Sequence, residues 1–66
     1  MILSASNNTL NRIAKELNKN GVTTLMTTSN KEPYLIIKDE YKTKVNLAVQ
    51  MDKQRHNSTI KILEFK

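Results

Sequence analysis

Sixty-six residues with one glycine, one proline and no cysteine make a single small domain that neither a disulfide nor a thiolate zinc site can staple. Eleven Lys and Arg against six Asp and Glu leave a net charge of +5, which favours polyanions as partners. One glycine excludes a glycine-rich phosphate loop, one histidine excludes a His-pair metal site, and Tyr34, Tyr41 and Phe65 are fewer aromatics than the stacking platform of an RRM sheet or OB groove usually employs.

The opening MILSAS lacks a basic segment and has only Ile2 and Leu3 as an apolar run, which is far too short for a signal sequence. Nor does any stretch approach the roughly 18 apolar residues of a membrane span, so a soluble cytoplasmic protein is expected. ILSAS, residues 2–6, has room for a short strand. Residues 8–20, NTLNRIAKELNKN, place Leu10, Ile13, Ala14 and Leu17 at i, i+3, i+4 and i+7, the apolar stripe of an amphipathic helix. Asn7 or Asn8 is the expected N-cap, and Gly21 supplies the left-handed residue that ends a helix.

After Gly21 the chemistry turns to strands. VTTLMTT (22–28) is rich in β-branched residues, SNKEP (29–33) is turn chemistry, and YLIIK (34–38), apolar on both faces, fits an interior strand. YKTKVNLAVQM (41–51) alternates throughout: Tyr41, Thr43, Val45, Leu47, Val49 and Met51 on one side, Lys42, Lys44, Asn46, Ala48 and Gln50 on the other. Period two predicts a strand with unlike faces. DKQRHNS (52–58) is wholly polar and reads as a hairpin tip, and STIKILEF closes the chain as a last strand.

The fold class expected is α+β: one amphipathic helix on a four-stranded antiparallel meander, with a short N-terminal strand as an option. A helix of about 20 Å by 10 Å cannot cover a sheet nearly twice that width. The uncovered apolar residues therefore imply an exposed patch or a second layer, and a homodimer that packs sheet on sheet or pairs edge strands is the expected remedy.

The charge clusters in the 41–61 segment, where Lys42, Lys44, Lys53, Arg55 and Lys61 face Asp52 alone. As a ribbon with a basic tip it suits phosphates, through Lys42, Lys44, Lys53, Arg55 and Lys61. Asn46, Gln50 and Asn57 are candidates for hydrogen bonds to base edges. The expected function is a small basic accessory or regulatory protein that binds nucleic acid, duplex above all. The alternative is a non-enzymatic interaction module, of the kind phages encode, that docks on the acidic surface of a larger protein by its sheet face or edge strand. No membrane partner, metal or cofactor is implied.

An enzyme is not expected. The terminal ILEFK resembles the hydrophobic-Glu-x-Lys strand of the PD-(D/E)xK nucleases, which implies Glu64 as a metal ligand, Lys66 beside the attacking water, and Asp39 or Asp52 as second carboxylate. The nuclease core continues into a helix and a further strand that this sequence does not supply. LNRIAKELNKNG with the strands after it resembles, in element order, the helix-strand-strand-strand start of double-stranded-RNA-binding-like folds, HicA-type toxins among them. That likeness rests on the NG helix end and carries no site residue.

Overall fold

The computed structural model describes residues 1–63. Its elements are β1 (Ile2–Ser4), α1 (Asn7–Lys19), β2 (Thr24–Ser29), β3 (Glu32–Ile37), a 3₁₀ turn at Asp39–Tyr41, α2 (Lys42–His56) and β4 (Lys61–Leu63). The α+β class and the N-terminal strand are as the sequence suggests. The helix count is two rather than one.

The long alternating segment is the difference. Residues 42–56 form a helix that buries Val45, Ala48, Val49 and Asp52, a set spaced i, i+3, i+4 and i+7. Leu47 and Met51, inward in the strand reading, are 56% and 39% exposed, while Ala48, outward in that reading, is buried. No hairpin spans 41–61, and the polar run at 52–58 is the last turn of α2 and its cap. Two features hide this helix from a periodicity argument: its buried face contains a carboxylate, and its solvent face contains two large apolar side chains.

The sheet order is β2-β3-β1-β4 with every neighbouring pair antiparallel, so it is not a meander. Each helix carries the chain across one intervening strand. The result is a split β-α-β unit used twice, the ferredoxin-like arrangement, which by itself says nothing of function. The double-stranded-RNA-binding-like order is not kept, because β3 is followed by the 3₁₀ turn and α2 rather than by a third strand after the first helix. Glu64, Phe65 and Lys66, on which the nuclease resemblance and the end of the last strand rest, lie outside the described residues.

Local chemistry sets the ends of the elements. Ser6, not Asn7 or Asn8, caps α1, its Oγ accepting from the Thr9 N–H at 3.3 Å. Gly21 takes φ +77°, the Val22 N–H donates to the Leu17 carbonyl at 2.9 Å, and the Gly21 N–H donates to Asn18 at 3.1 Å. Those two bonds are the Schellman pair, which a left-handed residue permits. β2 and β3 are joined through Asn30 and Lys31, both at positive φ (53° and 67°), the backbone of a type I′ hairpin turn.

Both helices pack on one face of the sheet. Leu3, Leu35 and Ile37 from the strands meet Leu10, Ile13 and Leu17 of α1 and Val45, Ala48 and Val49 of α2, with Val22 and Ile60 closing the cluster. The second helix thus covers the area that one helix could not. Among the described residues no element covers the opposite face of the sheet.

Ala48→Asp should cost more than about 3 kcal/mol, because it buries an unpaired charge, while Leu47→Asp should stay within about 0.5 kcal/mol; a strand would reverse the order, and urea denaturation decides it. Lys31→Gly should stabilise the hairpin by about 1 kcal/mol, since glycine takes the left-handed conformation without steric cost, and the thermal midpoint should rise accordingly.

Candidate nucleic-acid interface

All eight residues singled out from the sequence are exposed, but the helix distributes them differently from a ribbon. At about 100° per residue, Lys42, Asn46, Gln50 and Lys53 share about 80° of arc on α2, on the flank turned away from α1. Lys44 and Arg55 lie on the other flank, within about 40° of arc that also holds Met51. Asn57 is the C-cap residue, with φ 51° and its N–H donating to the Lys53 carbonyl at 2.9 Å, so its place is set by the helix end. Lys61 stands apart on β4.

Several of these cations already have an internal role. Lys53 and Arg55 occupy the last turn of α2, where positive charge suits the helix dipole. Lys44 Nζ donates to the Asn20 carbonyl at 3.3 Å and so caps the C-terminal end of α1. Arg55 and His56 line a cleft between the helices together with Arg12, Glu16 and Met51.

The carboxylate of α2 explains the electrostatics of this surface. Asp52 is only 8% exposed; Arg12 Nε donates to its Oδ1 at 2.9 Å and Arg12 Nη2 to its Oδ2 at 3.2 Å, a bidentate pair. Ser58 Oγ adds a 2.6 Å hydrogen bond to Oδ2, and Arg12 Nη2 also donates to Thr9 Oγ1 at 3.2 Å. The Arg12 hydrogen bonds hold the Asp52 carboxyl below the usual carboxylate range against the opposing cost of burial, with Ser58 and the nearby positive charges acting the same way as Arg12. The one acid of α2 is therefore withdrawn from solvent, and the helix shows water four cations and no carboxylate.

That network was not legible as such in the sequence. Arg12 reads as part of a basic stripe on α1 and Asp52 as part of a polar tip. The available signal was the position of Asp52 four residues after Ala48 and seven after Val45, on the face a helix would bury. The same pairing bears on the nuclease resemblance, since Asp52 is occupied by Arg12 and Ser58 and the other carboxylate, Asp39, by the amino group of Met1 at 2.6 Å. Among the described residues no three His, Cys, Asp or Glu side chains gather into a group that could hold a metal ion. No helix among them is long and apolar enough to cross a membrane.

Comparisons with protein-family models, with curated proteins and with solved structures gave no match to this chain.

The depressed Asp52 pKa fixes a pH dependence. A carboxyl whose folded pKa lies below its unfolded value of about 3.9 stabilises the fold fully above that value and loses its contribution as pH falls through the folded pKa. Asp52→Asn should therefore cost on the order of 2 kcal/mol at pH 7. The gap from the native chain should narrow on acidification below about pH 4, as denaturant titrations at a series of pH values would show.

Proposed function

We propose that the protein binds nucleic acid through the solvent face of α2 and acts as a small accessory or regulatory factor. The observation that carries this reading is the sign of that surface: Lys42, Lys44, Lys53 and Arg55 are all exposed, and the only carboxylate of the helix is buried against Arg12. α2 itself exposes no carboxylate to a polyanion, so its lysines and arginine can neutralise phosphates and release their condensed counterions, which drives binding.

The geometry supports a helix-in-groove mode in place of the two-stranded ribbon. A helix of 15 residues is about 22 Å long, and the major groove of duplex DNA, about 12 Å wide, admits it. Lys42 and Lys53 would then sit on phosphates near the two ends of α2. Asn46 and Gln50 lie between them on the same flank, and their amides can both donate and accept, as recognition of adenine requires. Lys44 and Arg55 on the other flank would reach the opposite phosphate strand.

This reading predicts a steep salt dependence. Titrating duplex DNA at several salt concentrations, Lys42→Ala and Lys53→Ala should each reduce the log-log slope by about 1. Asn46→Ala and Gln50→Ala should leave the slope unchanged and alter the preference among sequences. An affinity insensitive to salt, or a single stoichiometric protein partner whose recovery survives nuclease treatment, would displace this reading in favour of a protein-docking module.

A further inference from the structure

The sheet has two unlike faces, and the one without helices is apolar in its middle. The strand register aligns Leu25 with Ile36, Ile36 with Ile2, and Ile2 with Leu63, so one cross-strand row of that face reads Leu-Ile-Ile-Leu. Leu25 is 61% exposed, and Ile2, Ile36 and Leu63 are half-buried. The next row is Thr27, Tyr34, Ser4 and Lys61. A shallow depression lined by Ile2, Thr27, Tyr34, Ile36 and Leu63 joins the two rows.

We infer that this face is the interface of a homodimer, packed sheet on sheet about a two-fold axis parallel to the strands and passing between β3 and β1. The axis reverses the strand order, so it lays β2 over the partner's β4 and β3 over the partner's β1. The Leu-Ile-Ile-Leu row then meets itself, with Leu25 over the partner's Leu63 and Ile36 over the partner's Ile2. In the second row the large Tyr34 falls over the small Ser4 and the small Thr27 over the long Lys61, so bulk is matched by space. A row whose chemistry reads the same from either end is what an isologous interface requires.

Charge separates a second copy from other occupants. The strand residues of this face include one cation, Lys61, and one carboxylate, Glu32, so the face is neutral on a molecule of charge +5. A polyanion or an acidic protein gains nothing there, whereas two copies can meet without opposing their net charge at the contact. β2 and β3, six residues each, are about 20 Å long and β1 and β4, three residues each, about 10 Å, so strands about 4.8 Å apart give roughly 300 Å² of flat area per copy. That is well below the roughly 800 Å² per partner of a standard specific interface, so the dimer should be a weak one, with a Kd on the order of 100 μM. Because the helices lie on the far side, self-association and the proposed α2 contact use opposite faces, and either can fail alone.

Sedimentation of the intact chain from about 10 μM to 1 mM, a span bracketing that Kd, tests the inference. The weight-average mass should rise from the monomer's 7.6 kDa towards twice that. Ile36→Glu should weaken association at least about tenfold by placing a charge in the contact, with the circular dichroism of the fold and the salt slope of DNA binding unchanged. The chain has no native cysteine, so Leu25→Cys with Leu63→Cys gives a clean pair: a short bis-maleimide should join these positions between copies, whereas within one copy they stand about 14 Å apart. A monomer at every concentration would overturn the inference and leave the face to a different protein. A mass that rises equally in Ile36→Glu, or crosslinking as efficient with Leu25→Cys alone, would overturn this interface.

Discussion

The Arg12–Asp52 pair fixes how the two helices sit on each other. A carboxylate on the buried face of α2 cannot be left unpaired at 8% exposure, so α1 must present Arg12 across the helix seam with both of its bonds in register. That requirement selects the rotation of each helix about its own axis. It also governs the return of the chain, because Ser58, just past the end of α2, donates to the same carboxylate at 2.6 Å and aims the backbone into β4. Thr9 and Ser6 extend the hydrogen-bonded chain to the N-terminus of α1, with Ser6 Oγ donating to Thr9 Oγ1 at 2.9 Å. One network of five side chains thus ties the start of the first helix to the end of the second and to the last strand.

This pair also divides the surface of the molecule by charge. With Asp52 buried, the exposed side of α2 is cationic from Lys42 to Arg55. With the helices on one side only, the sheet keeps a neutral apolar face on the other. A small domain has little area on which to separate such properties, and two layers give it two broad faces. Leu47 and Met51, exposed beside the cleft between the helices, interrupt the charged side with apolar surface.

Much of the fold was legible in local sequence, and the reason is that those signals are local in origin. The stripe Leu10, Ile13, Leu17, the left-handed Gly21, the turn residues around Asn30 and Lys31, and the doubly apolar YLIIK each act within a few residues. Each appears where the sequence places it: α1, its Schellman end, the β2–β3 hairpin and the interior strand β3. The short strand in ILSAS is present as well, though nothing local indicated that it would lie at the centre of the sheet between β3 and β4. The basic residues of the candidate site were also identifiable one by one, since exposure of lysine and arginine needs no tertiary information.

The sequence by itself determined the α+β class, the first helix and its glycine end, the hairpin, and the excess of positive charge between residues 41 and 61. Only the tertiary structure decided that this charge rides on a helix. Six alternating positions from Tyr41 to Met51 fit a strand perfectly, while the helical face Val45, Ala48, Val49, Asp52 looks broken by its acid until Arg12, forty residues away, neutralises it. Periodicity weighs each side chain by its own hydrophobicity and has no access to a partner distant in the chain. The same limit hid the Leu-Ile-Ile-Leu row, whose four members come from four strands and become neighbours only through the register of the sheet.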